Sequence, residues 1–359
     1  MRIVHETNPR KYFPAVFSLA ESRRIELVGS HRYSVFKEWL RSGIVDRAPV
    51  TARSRNALSD LIFRFHARFV RGETVILGFA PWSFRLLWYR GLAKHNRVIY
   101  HTSWHDWRDD SVPRRYGPLT PVMVRAWRRF LSAPSVRIVA VSEAARHGVQ
   151  QFVEREVTVI PHAVPERFFE EAQEPDLLER PLRLIYVGEL SRKKGLPQLL
   201  EMADNLVRQE RPVELTLVGT GPLRSTVESA ARSPHVSYLG PVADRDQLAT
   251  VMSQHDVLVL LSRRQDDWEE LFGIVIAEAT AAGLGVIATD HVGPSHLLGD
   301  LSCGGLFGEE DVAGVENLIS SLASHPAMRA DYRRRHRSVA TPYRVDVVAE
   351  AWARSIGIP

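Results

Sequence analysis

Short apolar runs rich in β-branched residues recur along the chain, separated by stretches whose apolar positions repeat at helical spacing. They are MRIV (residues 1–4), IELVG (25–29), TVILGF (74–79), RVIYHT (97–102), VRIVAVS (136–142) and VTVIP (157–161). LRLIYVG (182–188), VELTLVG (213–219), VSYLG (236–240), DVLVLLS (256–262) and GVIATD (285–290) follow. Each run is continuous rather than alternating, which predicts strands covered on both faces. Their interleaving with helices predicts an α/β architecture of parallel sheets.

The polar, acidic stretch EEAQEPDLLERP (170–181) carries two prolines and reads as a connection between two sheets. It divides the chain into residues 1–168, a linker at 169–180, a second domain at 181–340 and a terminal segment at 341–359. In that last segment Val347, Val348, Ala351, Trp352 and Ile356 share one helical face, so it is expected to pack as a helix.

The stretch EELFGIVIAEATAAG (269–283) poses a chemical question. Residues 274–282 are apolar except for Glu278 and Thr280, which predicts a helix buried on most sides. A carboxylate there is costly unless a partner repays its desolvation. Glu270 lies eight residues earlier, or ~12 Å along a helix if the whole interval were helical. That is about the reach of a diphosphate with a sugar at each end. Gly273 lets a ligand lie close to the helix start, where free N–H groups favour an anion. Glu269 alternatively reads as an acidic residue complementing the helix dipole. Upstream, Arg192, Lys193 and Lys194 form a basic loop between a strand and a helix expected from about Leu196, the kind of place where open α/β sheets bind ligands. Gly219 and Gly221 flank Thr220 directly after another strand and permit a tight turn. The third glycine of a dinucleotide fingerprint is missing, which argues against a nicotinamide oxidoreductase.

Composition adds bounds. A chain of 359 residues that is 45% hydrophobic suffices for two cores. The single Cys303 and the lack of Cys/His spacing suggest a reducing, cytoplasmic setting without structural metal. No apolar run reaches the ~20 residues of a spanning helix. Residues 1–160 hold 27 Lys and Arg against 13 Asp and Glu, whereas the remainder holds 20 against 29. A basic N-terminal half suits nucleic acid, an anionic membrane surface or a phosphorylated substrate. Nucleic acid has charge alone in its favour, with no zinc-finger spacing or RNP-like aromatics. PVMVRAWRRFL (121–131) alternates apolar residues with arginines, and reads either as a helix lying on an anionic bilayer or as a surface helix with its apolar side in the core.

The motif Glu270-x7-Glu278, with Phe272 and Gly273 inside it and Ala279 and Gly283 after, resembles that of retaining glycosyltransferases of the GT-B fold, family 4. VGELSRKKG, LVGTGPL, VSYLGPV, AAGLGVIATDHVG and a late GGLF follow the same order, so the resemblance covers residues 181–310. VAVSEAAR and VIPHAVPERFF extend it back more weakly. It implies two Rossmann-like domains facing a cleft, with the C-terminal helix returning to the first. It implies metal-independent, cofactor-free transfer of a hexosyl unit, with retention, from a UDP- or GDP-linked sugar to a hydroxyl of a glycan, glycolipid or lipid-linked acceptor. Peripheral membrane contact would run through the basic half.

Carried over residue by residue, the resemblance assigns Glu278 to the ribose hydroxyls and Glu270 to the sugar hydroxyls. Phe272, Gly273 and Ile274 fall at the diphosphate, Lys194 matches a phosphate-binding lysine, and Val242 meets the nucleobase. Gly188 and Gly219 line the donor loops, and His105, in SWHDW, faces the donor sugar. Where the family carries an arginine after the glycine this chain has Gly188–Glu189, so Arg192 or Lys193 is expected to supply the charge. A GT-B epimerase or hydrolase, or a non-catalytic relative, is the alternative reading.

Overall fold

Two six-stranded, wholly parallel sheets carry the chain in the computed structural model, which describes residues 1–6, 8–35, 39, 50–108, 114–265, 268–299 and 304–358. The chain divides into two compact units. One is Met1–Ala163 with Val345–Pro359, and the other is Val164–Arg344.

In the first unit the strands are β1 (Arg2–His5), β2 (Gly29–Arg32), β3 (Thr74–Gly78), β4 (Arg97–Thr102), β5 (Val136–Ala140) and β6 (Val157–Val159), in the order β2-β1-β3-β4-β5-β6. IELVG was the expected second strand, yet the strand is the polar GSHR that follows it. Among the described strands it pairs with β1 alone, and its polar residues leave no apolar run to mark it.

Alternate residues serve two cores, as the pleat requires. Val75, Leu77, Val98 and Tyr100 join an aromatic cluster of Trp82, Trp107 and Trp127. Ile3, Ile76, Ile99 and Val139 pack with helices Pro14–Glu21 and Val345–Ile356. The terminal helix thus returns to the first sheet, burying Val348, Ala349, Trp352, Ala353 and Ile356 and leaving Val347 exposed. Helix Thr120–Leu131 buries Met123, Val124, Trp127, Phe130 and Leu131, so its apolar side is core rather than a membrane face. Trp107 is core as well. Among the described residues no helix is long and apolar enough to cross a membrane.

His101, at the end of β4, and His162, after β6, are buried with ring centroids 5.4 Å apart. Burial, reinforced by His162 and His5, holds His101 well below the usual imidazole range. Burial likewise pushes His162 down to about 4, against the opposing hydrogen bond to Tyr12 O. Both are neutral in the fold. Their contribution is therefore complete above the unfolded value of 6.5 and drains away as pH falls toward 4. Urea unfolding should show the loss between pH 7 and 4.5, about 3 kcal/mol for His162 across its full shift. In His162→Gln this part of the pH slope should vanish, and an unchanged slope would refute the assignment.

The second unit contains β7 (Leu182–Glu189), β8 (Val213–Thr220), β9 (Val236–Gly240), β10 (Val257–Leu260), β11 (Gly285–Thr289) and β12 (Leu306–Phe307), ordered β12-β11-β10-β7-β8-β9. Only the two-residue β12 lacked a predicting run. Residues 169–180, read as a linker, belong to this unit. Arg329 donates to Leu178 O at 2.6 Å and Arg333 to Gln173 O at 3.3 Å, which fixes that backbone on helix Pro326–Arg337. Asp256, fully buried just before β10, accepts from Arg180 at 2.6 and 2.9 Å, Arg333 at 3.1 Å and the Arg183 N–H at 3.0 Å. At the unit's boundary, Val164 and Arg344 form a single parallel bridge, and the Val164 N–H donates to Tyr343 O at 2.7 Å.

Candidate active site

The strand order of the second unit reverses between β7 and β10, which are neighbours although β8 and β9 intervene in the chain. In open α/β sheets ligands bind beyond the carboxyl ends of strands at such a switch point. The loops that leave these two ends carry the basic run and the first glutamate of the motif.

After β7, Arg192–Lys194 form one 3-10 turn, and Gly195 starts helix Leu196–Arg208 with φ of 68°. A Cβ on Gly195 would lie 1.7 Å from Leu261 O, so only glycine lets the turn rest on the end of β10. The Arg263 N–H donates to Lys193 O at 2.8 Å and ties the loops together. The Lys193 side chain pairs with Glu189 at 2.9 Å. Arg192 is exposed and has no ion-pair partner among the described residues.

After β10, the loop is held by residues that follow β11. Glu269 accepts from the Val292 N–H at 3.2 Å and pairs with Arg264 at 3.2 Å. Its role is therefore at the start of helix Val292–Leu298, not in the first turn of its own helix, which begins only at Ile274. The Glu270 N–H donates to His291 Nδ1 at 3.3 Å, and the Gly293 N–H donates to Glu270 O at 2.8 Å. His291 Nε2 lies 2.8 Å from Ser262 O, and because a carbonyl only accepts, Nε2 is assigned the proton and Nδ1 receives the Glu270 N–H. Gly293 packs so closely that a Cβ would come within 2.6 Å of the Phe272 backbone.

This frame brings Lys194 and Glu270 into an ion pair, with side chains only 16% and 15% exposed. The Lys194 ammonium also lies 4.7 Å from the Trp268 ring centroid, and that of Lys193 lies 5.1 Å from it. Next to the pair, Gly273 opens helix Ile274–Ala281 with φ of 67°. The first-turn N–H groups of Ile274 and Val275 have no intrahelical acceptor. Since only part of the interval between the glutamates is helical, the ~12 Å separation of a continuous helix does not apply.

Glu278 is 2% exposed, and the helix around it buries Ile276 through Ala281. Its partner is Arg245, at the first position of helix Arg245–Ser253, whose guanidinium forms an ion pair with Glu278 and lies 5.1 Å from the Phe168 ring centroid. No feature of the local sequence around Glu278 signals Arg245. Val242, half-buried, lies three residues before it. Gly188 and Gly219 meet at the ends of β7 and β8, where a Cβ on Gly219 would sit 1.8 Å from Gly188 O.

His105 belongs to the first unit, in the loop after β4. Gly148 packs on its carbonyl, with a hypothetical Cβ only 1.7 Å away. The adjacent Asp106 is engaged by Arg108 at 2.9 to 3.1 Å, and this hydrogen bonding holds its carboxyl below the usual range. Trp104 donates to Asp106 O at 2.6 Å, which makes the segment a self-bonded aromatic turn.

Residues 168–339 match the sequence profile of the family described as glycosyl transferases group 1. The phosphatidyl-myo-inositol mannosyltransferase of Mycolicibacterium smegmatis is 29% identical over 197 residues, 54% of this chain and 50% of that protein. The D-inositol 3-phosphate glycosyltransferase of an Arthrobacter species is 31% identical over 160 residues, 42% of this chain and 36% of that one. Half or less of each relative's length is thus matched. Among solved structures, WaaG, a glycosyltransferase involved in lipopolysaccharide biosynthesis, superposes with a TM-score of 0.66 at 16% identity over 99% of both chains. HepE from Anabaena, in complex with UDP-glucose, gives 0.67 at 17% over 99% of both. At these identities the structures show the fold, two parallel-sheet α/β units of the GT-B kind.

Proposed function

Because residues 168–339 belong to the glycosyl transferases group 1 family, we propose that this chain transfers a hexosyl unit from a nucleoside-diphosphate sugar to a hydroxyl. The acceptor class proposed is a glycan, glycolipid or lipid-linked hydroxyl, and the setting the cytoplasm. The observation that carries the reading is the Lys194–Glu270 pair at the β7/β10 switch point, beside the Gly273 helix start. A cation for a diphosphate and a carboxylate for sugar hydroxyls stand together there before any ligand arrives.

In this reading the diphosphate draws Lys194 away from Glu270, and free N–H groups at the helix start donate to its remaining oxygens. Lys193 is held by Glu189, so Arg192 is the cation that takes the place of the family's arginine. Glu270, released, orients the sugar. Glu278 keeps acceptor capacity beyond its contact with Arg245, and receives the ribose hydroxyls. The anomeric C–O bond to the diphosphate breaks and its electron pair leaves with the phosphate. The acceptor oxygen attacks the same face, and its proton passes to the departing phosphate oxygen, so configuration is retained and no metal is needed. Charge that grows on the leaving group is met by preorganised donors. His105 has the resemblance alone behind its role.

A thermal-shift panel tests this first. UDP or GDP should raise the melting temperature in a saturable, concentration-dependent way through binding linkage. No shift with any nucleoside diphosphate would overturn the donor assignment.

A further inference from the structure

Two ammonium groups of the second unit share one aromatic ring. Lys193 Nζ lies 5.1 Å and Lys194 Nζ 4.7 Å from the Trp268 ring centroid, both inside the ~6 Å range in which an aromatic face attracts a cation. Each ammonium also has a carboxylate, Glu189 for Lys193 and Glu270 for Lys194, so two ion pairs rest on one indole. The indole is anchored through its own backbone. Gln265 and Trp268 exchange N–H to carbonyl hydrogen bonds at 3.0 and 3.1 Å, which closes the loop just ahead of Glu270. The ring of His291, which receives the Glu270 N–H, lies 6.1 Å from that of Trp268.

A carboxylate and an aromatic ring hold an ammonium in different ways. Glu270 neutralises Lys194 and engages one of its three N–H donors, so it competes with any phosphate for the same cation. An indole carries no net charge, so the ammonium keeps its charge and its donors while its flexible four-carbon stem is held in place. Once a diphosphate draws Lys194 off Glu270, Trp268 is the side chain that still holds it among the described residues. Its hold then strengthens, because a cation over a ring is attracted more when water is excluded. From this difference we propose that Trp268 is a positioning residue for the donor, keeping the Lys194 ammonium charged and in place as it passes from Glu270 to the diphosphate. The inference rests on the donor reading of the site and adds to it a residue outside the glutamate motif.

Isothermal titration with UDP and GDP, beside steady-state kinetics, tests it. Trp268→Leu should weaken binding of the nucleotide that the parent prefers by about 5- to 10-fold, with a similar loss in kcat/KM for the donor. Trp268→Phe, which keeps a weaker aromatic face, should recover part of that loss. Replacing Trp268 alone by a polyfluorinated tryptophan keeps the shape of the ring but withdraws charge from its face, and should cost as much as Trp268→Leu. The nucleotide should also alter the tryptophan fluorescence of the parent, a change missing in Trp268→Phe and retained in Trp88→Phe, whose ring is exposed in the first unit. If Trp268→Leu does not fold, the fluorinated ring decides. Parent-like affinity in the fluorinated chain would overturn the proposal and leave Trp268 a packing residue, with the donor reading intact. A parent chain that binds neither nucleotide would overturn the donor reading and this inference together.

Discussion

Lys194→Ala is expected to lower turnover roughly 100- to 1,000-fold, the loss typical of one preorganised donor to a developing anion. Folding should survive, because among the described residues the Lys194 side chain is held by Glu270 and the Trp268 face alone, both on the loop after β10. Glu270→Gln should be comparably impaired through the sugar rather than the diphosphate. Because the two side chains form one unit, the double variant Lys194→Ala/Glu270→Gln should be little worse than either single change. Glu269→Ala supplies the contrast. It should keep most of its turnover yet lose about 1 kcal/mol of stability, since Glu269 caps the Val292 N–H. Steady-state kinetics with the donor found by thermal shift, beside urea unfolding, reads all four. Full turnover in Lys194→Ala would end the site assignment.

The second large effect concerns stability. Asp256→Ala should destabilise the second unit by about 3–5 kcal/mol, because it strands the guanidinium of Arg333, itself 3% exposed, and removes a partner of Arg180. Burial alone would raise the Asp256 carboxyl. Hydrogen bonds from Arg180 and the Arg183 N–H, with the nearby charges, outweigh it and hold the group below 3.8. A depressed carboxylate contributes fully above its unfolded value and loses that contribution as pH falls through the folded one. Acid unfolding of this unit should accordingly include a step below about pH 3.8 that Asp256→Ala lacks. A loss under about 1 kcal/mol in the variant would show the network to be replaceable by water.

What could be read in advance divides along a physical line. Ten of the twelve strands announced themselves because continuous apolar runs are the direct print of burial on both faces. Strands β2 and β12 did not, since β2 is the polar GSHR and the two residues of β12 are too few to make a run. Glu278 was legible as a buried charge in want of a partner, but Arg245, 33 residues earlier, was not, because nothing in one helix's periodicity encodes which other helix packs against it. The role of His291 was hidden for the same reason, a tautomer fixed by Ser262 O and the Glu270 N–H, both supplied from the loop after β10. Residues 169–180 misled through composition. Proline and acid suggested a connection between two sheets, whereas Arg329 and Arg333 bind its carbonyls from 151 and 160 residues away.

The Val164–Arg344 bridge has a topological consequence. The second unit is an insert whose entry and exit share one doorway, so the first unit is a single fold interrupted once. Opening the chain at that point leaves paired ends that a few residues can rejoin, with little closure entropy on either side. The second unit can then be excised, or exchanged as a cassette between scaffolds, without unravelling the sheet from which it springs.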